Sequence, residues 1–321
     1  MLEIRRFKET DLEFSELARV DNLVNHDSID HPDDDKRDWF LRDKNLVRDR
    51  LLLYDNETLV GVIYYSQGRK ENCRTAFFTM NIDPKFNFEE SRVLLYNSMR
   101  KEIDKFQCNK IYTNVYDHSN YDYVKKFLIS KDFKHVQTNR EYSCKIKNID
   151  LKKYQPLIKK LKLFGIDFFD SKEEMKDWPN HYKKLEELTW TYHQDFPIPN
   201  GVKHTRTPFE QAMKIQEDFE KNYYGTEIVA VKDGRYIGST DLEVYYKSEP
   251  HKAWTNGLGV LKDFRRKGIA TALKIKAIEK LIKKGITEIR TDNEENNPMY
   301  KINVSLGFKP VPFSLEYMKE I

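Results

Sequence analysis

The chain has little from which to build cross-links, membrane spans or metal sites. Its three cysteines, Cys73, Cys108 and Cys144, are odd in number and widely spaced in 321 residues. That excludes a disulfide framework and implies a reducing compartment. No apolar run approaches the roughly 20 residues needed to cross a bilayer. Met1 leads directly into alternating Leu-Glu-Ile-Arg-Arg-Phe rather than an apolar targeting region. The expectation is a cytoplasmic protein with no membrane partner. An excess of one charge is also missing: 56 basic against 52 acidic residues leave +4, too even to argue for nucleic acid. His118, His135, His181, His204 and His251 show no ligand spacing, and no Ser/His/Asp or Cys/His arrangement stands out. Neither a metal nor covalent catalysis is expected. One stretch, His26-Asp-Ser-Ile-Asp-His-Pro-Asp-Asp-Asp35, gathers two histidines and several aspartates. Pro32 and the acidic run suit a solvated loop there better than a metal site.

What is present points to a folded core. Hydrophobic residues make up 39% and charged ones 34%, with many Tyr and Phe, and the length favours two domains. Strands are expected at residues 2–7, 51–54, 59–65, 75–82, 110–116 and 133–146, with helices at 11–25, 88–106 and 121–130. Asp55-Asn-Glu-Thr58 is a hairpin signal. The second half repeats the order, with strands at 166–169, 226–231, 235–244, 254–261 and 287–291 and a terminal strand region completing the unit. Its helices are expected at 175–192, 208–219, 269–284 and 298–306, and Asp233-Gly234 forms its hairpin turn.

Landmarks recur at near-constant distance. Gly61 and Gly238 lie 177 positions apart, and Phe133 and Phe308 lie 175 apart. Met80-Asn-Ile-Asp-Pro-Lys-Phe86 corresponds to Leu258-Gly-Val-Leu-Lys-Asp-Phe264. The reading is two copies of one mixed α/β domain, at 1–148 and 165–321, joined by a linker helix at 149–164.

One stretch distinguishes the copies. After the strand ending at Leu261, a basic turn, Arg265-Arg-Lys-Gly268, runs into a helix that begins at Ile269. Unpaired amides and the positive end of the helix dipole meet there beside three cations, which suits a phosphate or pyrophosphate. The first copy reads Asn87-Phe-Glu-Glu-Ser-Arg92 instead, and its glutamates would repel such a ligand.

The pattern Arg265-x-x-Gly268-x-Ala270 resembles the pyrophosphate-binding loop of GCN5-related N-acetyltransferases (GNAT). Leu258-x-Val260 before it, Phe264 beside it, and Asn296 ahead of Gly307-Phe308 strengthen the resemblance. It implies an α+β fold of two tandem GNAT-like domains, each a twisted, mostly antiparallel sheet flanked by helices. The first would be degenerate, as in members similar to mycothiol synthase. It further implies that Arg265, Arg266, Lys267, Gly268, Ile269, Ala270 and Thr271 cradle the pyrophosphate of acetyl-CoA. Backbone at Leu258, Gly259 and Val260 would hold the pantetheine arm and polarise the thioester carbonyl, and Asn296 would approach the sulfur.

Where many members carry a tyrosine that protonates the leaving thiolate, this chain has Asn303, an amide that cannot act as an acid. Tyr300, one helical turn earlier, is a candidate substitute. Asp241 and Glu243 share a strand face and are candidate bases. Trp190, His193 and Asp195 are candidate substrate-side residues. The expected activity is acetyl transfer to the amine of a small molecule by direct attack, without metal or nucleic acid, in a monomer or homodimer. Two alternatives are a peptidyl transferase using aminoacyl-tRNA and a catalytically silent CoA-binding sensor.

Overall fold

A computed structural model describes every residue except His26 and Tyr246. Strand β1 (Leu2–Arg6) is followed by α1 (Asp11–Val24), α2 (Pro32–Leu41), β2 (Arg48–Asp55), β3 (Thr58–Gln67) and β4 (Thr75–Ile82). Then come α3 (Glu89–Ile103), β5 (Lys110–Tyr116), α4 (Asp122–Ser130) and β6 (Lys134–Lys145). After α5 (Gln155–Leu163), the order restarts with β7 (Ile166–Asp170), α6 (His181–His193), α7 (Phe209–Asn222), β8 (Tyr224–Lys232), β9 (Arg235–Val244) and β10 (Lys252–Val260). Helix α8 (Ile269–Lys283), β11 (Glu288–Glu294), α9 (Tyr300–Ser305), β12 (Lys309–Pro310) and β13 (Ser314–Glu320) close the chain. The fold is the expected mixed α/β arrangement.

Two helices depart from expectation. Of the acidic loop at 26–35, His26 lies outside the described residues, and the loop ends at His31. Pro32 opens α2, where its missing N–H costs nothing, and Asp33, Asp34 and Asp35 occupy the first turn beside the positive helix end. Helix α6 starts at His181 rather than Met175, because Pro179 disfavours helical backbone before it and Asn180 takes a left-handed φ of 56°.

The chain divides into two compact units. Unit 1 is Met1–Asn139 with Ile198–Thr205 and Pro312–Ile321, and unit 2 is Arg140–Pro197 with Arg206–Val311. In unit 1, antiparallel β1, β2, β3 and β4 are followed by β5, parallel to β4. The closing strand expected in the second copy belongs here: β13 pairs antiparallel with both β5 and the Lys134–Asn139 part of β6. An alternating strand carries no label for its sheet, and this one satisfies two otherwise open edges. In unit 2, β7, β8, β9 and β10 are antiparallel neighbours, and β11 runs parallel to β10.

Matched hydrogen bonds establish the repeat. The Asp83 N–H donates to Val60 O, as Leu261 N–H does to Ile237 O; Phe133 N–H donates to Leu128 O, as Phe308 N–H does to Asn303 O. Both hairpins turn through left-handed residues, Asn56 in one and Asp233-Gly234 in the other. Each unit buries its own core. Leu95 and Met99 of α3 pack on one face of the first sheet and Leu17 of α1 on the other; α8 and α6 stand in those places on the second. Among the described residues, no helix is long and apolar enough to cross a membrane.

Candidate functional site

The site grows from a gap in the sheet of unit 2. Strands β10 and β11 pair only from Lys252↔Glu288 to Trp254↔Arg290. Beyond Trp254, β10 keeps its β9 partner but bulges between Thr255 and Gly257. One edge of β10 from there to Val260 is therefore unpaired with β11, and a bulge turning a strand away from its neighbour is a recurrent way to open a site. A cavity of ≈ 580 Å³ lies at this opening. It is lined by Leu258, Gly259 and Val260 of β10, by Arg265, Arg266, Gly268, Ile269, Ala270 and Thr271, and by Asn297, Pro298, Met299 and Ile302 across from them. Tyr192, Asp195, Phe196 and Phe264 complete the wall.

The basic turn has the backbone of an anion cradle. Arg266 (φ 59°) and Gly268 (φ 85°) are both left-handed, and Gly268 is the N-cap of α8. The first intrahelical bond runs from Ala272 N–H to Gly268 O, so the amides before it lack intrahelical acceptors. A Cβ at position 268 would sit 2.7 Å from Leu157 Cδ1. The cations divide their work. Arg265 donates to Val260 O (2.8 Å) and to Asp195 (2.6 Å), and Lys262 also reaches Asp195 (3.0 Å). Lys267 turns back to Asp263 O (2.9 Å) and lies outside the cavity lining. Arg266 makes no side-chain hydrogen bond or ion pair among the described residues, leaving it available to an incoming anion.

Tyr192 of α6 shapes the opposite wall. Its ring lies so close over β10 that a Cβ on Gly259 would be 2.1 Å from the ring carbons. Glycine is thus the residue that lets ring and strand meet. The Tyr192 hydroxyl hydrogen-bonds Ser239 (3.1 Å), and burial raises its pKa.

Beside that hydroxyl is a carboxyl pair. Glu227 on β8 lies directly opposite Asp241 on β9. Burial raises the pKa of both, and the Asp241 charge raises Glu227 further, against opposing hydrogen bonds from Asn256 to Asp241 and from Ser171 to Glu227. A Cβ on Gly257 would lie 2.9 Å from Asp241 Oδ1 and 3.6 Å from the Tyr192 hydroxyl, so both groups converge on the bulge of β10. Behind Glu227, Ser171 bonds His181 Nε2 (2.8 Å), and His181 Nδ1 meets the Tyr236 hydroxyl (2.9 Å). Burial lowers the His181 pKa.

The other sequence candidates scatter. Glu243 accepts from Tyr245 (3.4 Å) one step further along β9. Asn296 is exposed and folds onto Glu294, through its backbone N–H and its amide (2.9 Å each), while Asn297 lines the cavity. Asn303 is buried; it accepts from Lys274 and donates to Asn293 (2.7 Å). Tyr300 packs against the core cluster, and neither it nor Asn303 lines the cavity. Trp190 lies under Arg206 (5.8 Å), and His193 sets its ring edge on Phe196 (4.6 Å). Asp195 faces the cations of the turn, whose hydrogen bonds hold its pKa low. Among the described residues no cluster of His, Cys, Asp and Glu could hold a metal ion.

Sequence reading passed over Glu227 and Tyr192. Tyr192 follows Leu185 and Leu188 at helical spacing and reads as core, and Glu227 becomes visible only once β8 is registered against β9.

Residues 183–304 match the acetyltransferase (GNAT) family. The fold is that of tandem GNAT proteins. A tandem GNAT protein from the clavulanic acid biosynthesis pathway superposes with a TM-score of 0.79 at 14% identity, over 100% of this chain and 98% of its own. A GCN5-related N-acetyltransferase from Sphaerobacter thermophilus gives 0.67 at 13%, over 99% and 95%. The glucosamine N-acetyltransferase region of a fungal multi-domain β-N-acetylglucosaminidase gives 0.73 at 13%, covering 99% of this chain and 38% of that one. No curated protein matches in sequence.

Proposed function

We propose that unit 2 transfers an acetyl group from acetyl-CoA to the amine of a small molecule. The observation that carries the reading is the open edge of β10, with an anion cradle beyond its Val260 end and a half-buried carboxyl pair facing the bulge at its other end. The residues present fit the cofactor. The amides at the start of α8, the left-handed Arg266 and Gly268 and the uncommitted Arg266 guanidinium suit a pyrophosphate. The free edge of β10 suits an arm that pairs like an added strand. When bound, acetyl-CoA supplies the thioester carbon that the amine attacks.

The chain's own part is positioning and proton removal. An amine arrives as an ammonium, and the Glu227–Asp241 pair attracts it by charge. Like charges at this distance raise the affinity of the pair for a proton, so it can accept one near neutral pH. Ser171, itself held by His181, fixes the Glu227 carboxyl, and the Tyr192 hydroxyl lies near Asp241 at the bulge. With Asn303 spent on Lys274 and Asn293, the departing thiolate takes its proton from solvent.

Release of free thiol from acetyl-CoA across a panel of amines tests this reading. Turnover is expected with at least one amine, falling about 100-fold in Asp241→Asn and in Glu227→Gln. The wild-type rate rises with pH through neutrality as the pair loses its shared proton. In Asp241→Asn that rise moves to lower pH, because Glu227 loses its charged neighbour. An unchanged pH profile in both variants would remove the carboxyl pair from the mechanism.

A further inference from the structure

The proposed chemistry leaves unit 1 without a task, yet unit 1 carries an open cavity of ≈ 540 Å³, within the size range of small-molecule sites. One sheet face builds it. Strand register sets Arg48 against Ser66 and Arg50 against Tyr64, then Ser66 against Phe77, and Phe77 beside Tyr112. Paired residues share a face. The rings of Phe77 and Tyr112 stack at 5.8 Å and 30°. The segment Ile198–Thr205 covers this floor and is pinned there. The Tyr112 hydroxyl donates to Asn200 O (2.6 Å), and Asn72 exchanges two hydrogen bonds with the Lys203 backbone (2.7 and 3.0 Å). Pro199 and Val202 thereby form an apolar wall.

A buried cation stands here where unit 2 has a carboxylate. At the internal offset of 177 positions, the facing pair Glu227↔Asp241 corresponds to the facing pair Arg50↔Tyr64. Arg50 is 1% exposed, holds Asp35 with both terminal nitrogens (2.5 and 2.6 Å), and keeps an unpartnered Nε–H. Arg48, two residues away on the same face, is exposed and makes no hydrogen bond or ion pair among the described residues, although Asp38 lies near enough to feel its charge. The lining carboxylates are engaged: Asp49 accepts from Tyr65 (3.3 Å) and from the Arg50 N–H (2.8 Å), and Glu316 accepts from Asn139 (3.2 Å). The uncommitted charge is positive, and the aromatic surface left open is that of Phe77, since Tyr112 behind it is 1% exposed.

We propose that this cavity binds a small aromatic carboxylate, with its ring against Phe77 and its carboxylate on the Arg48 guanidinium. A bidentate pair with arginine supplies orientation, and ring stacking supplies most of the apolar contact. The inference does not depend on the acyl-transfer reading, since it uses no residue of unit 2.

Calorimetric titration of the full chain with 4-hydroxyphenylacetate, its uncharged amide and tyramine tests it, with benzoate and indole-3-acetate as further probes. The acid is expected to bind at least tenfold tighter than the amide. Arg48→Gln should erase that difference, and its exposed, unpartnered side chain makes a matched thermal melt the control for folding. Phe77→Ala should weaken acid and amide alike by tenfold or more, whereas Gly268→Glu in unit 2 should change neither. Equal binding of acid and amide, an acid affinity untouched by Arg48→Gln, or no binding of any carboxylate probe would overturn the proposal. Preferential binding of tyramine would overturn it in favour of a cation site.

Discussion

The two units share a plan and differ in what fills the same gap. In unit 2, β10 parts from β11 after Trp254, and Pro298 and Met299 line the opening without closing it. In unit 1, β4 parts from β5 after Phe78, but the Tyr123 hydroxyl reaches the Ile82 N–H at 3.3 Å. Tyr123 is the counterpart of Pro298 at the offset of 175 positions. A side chain thus makes the hydrogen bond that an added strand would make in the other unit. Where unit 2 has Gly268 at a left-handed N-cap, unit 1 begins α3 with Glu89 and Glu90 and an uncapped Phe88. Duplication preserved the sheet and its hairpins, while a few side chains decide which copy has an open cleft.

The largest expected effect comes from giving unit 2 the glutamate of unit 1. Gly268→Glu combines a disfavoured φ, a contact with Leu157 and a negative charge in the cradle. Calorimetry should show a loss of acetyl-CoA affinity of 100-fold or more, about 3 kcal/mol; equal affinity would sink the assignment of the cradle. Next is Gly259→Ala, which forces a methyl into the Tyr192 ring. Overpacking of this kind costs about 1–3 kcal/mol, to be read from urea midpoints, and an unchanged midpoint would mean that the ring moves freely.

Lys274 offers a pH test inside the core of unit 2. Burial lowers its pKa from 10.5 to about 7, with its ammonium 4.6 Å over the Phe308 ring. The folded chain binds fewer protons here than the unfolded one, so stability is lost as pH falls from above 10 through about 7. Lys274→Met should therefore gain more in thermal midpoint, relative to wild type, at pH 6 than at pH 9; a gain independent of pH would show that the lysine stays charged in the fold across this range. The smallest effect is Tyr123→Phe. Losing one hydroxyl costs unit 1 about 1 kcal/mol, and the stoichiometry of acetyl-CoA should remain one per chain. A second equivalent would show that the hydroxyl alone keeps unit 1 closed.

Sequence exposed what depends on local order. Gly268 and the helix after it, the Asp233-Gly234 turn and the constant offsets were all legible, because each is written in neighbouring residues. The cradle residues from Leu258 to Val260 and from Arg265 to Thr271 line the cavity, Lys267 apart. Pairing across strands was not legible. Nothing local distinguishes the bond between Asn303 and Lys274 from a catalytic amide, or the partnership of Asp195 with Arg265 from a substrate contact. The start of α6 went wrong because helical spacing runs on through Pro179, which breaks the backbone without breaking the pattern.

The position of β13 has a consequence for how the protein is made. Its residues fill the place between β5 and β6 in unit 1, yet they leave the ribosome after all of unit 2. Synthesis at ordinary rates separates β6 from β13 by roughly 10–40 s. Throughout that interval the nascent first unit carries two open strand edges, and its sheet is sealed only when the last segment arrives.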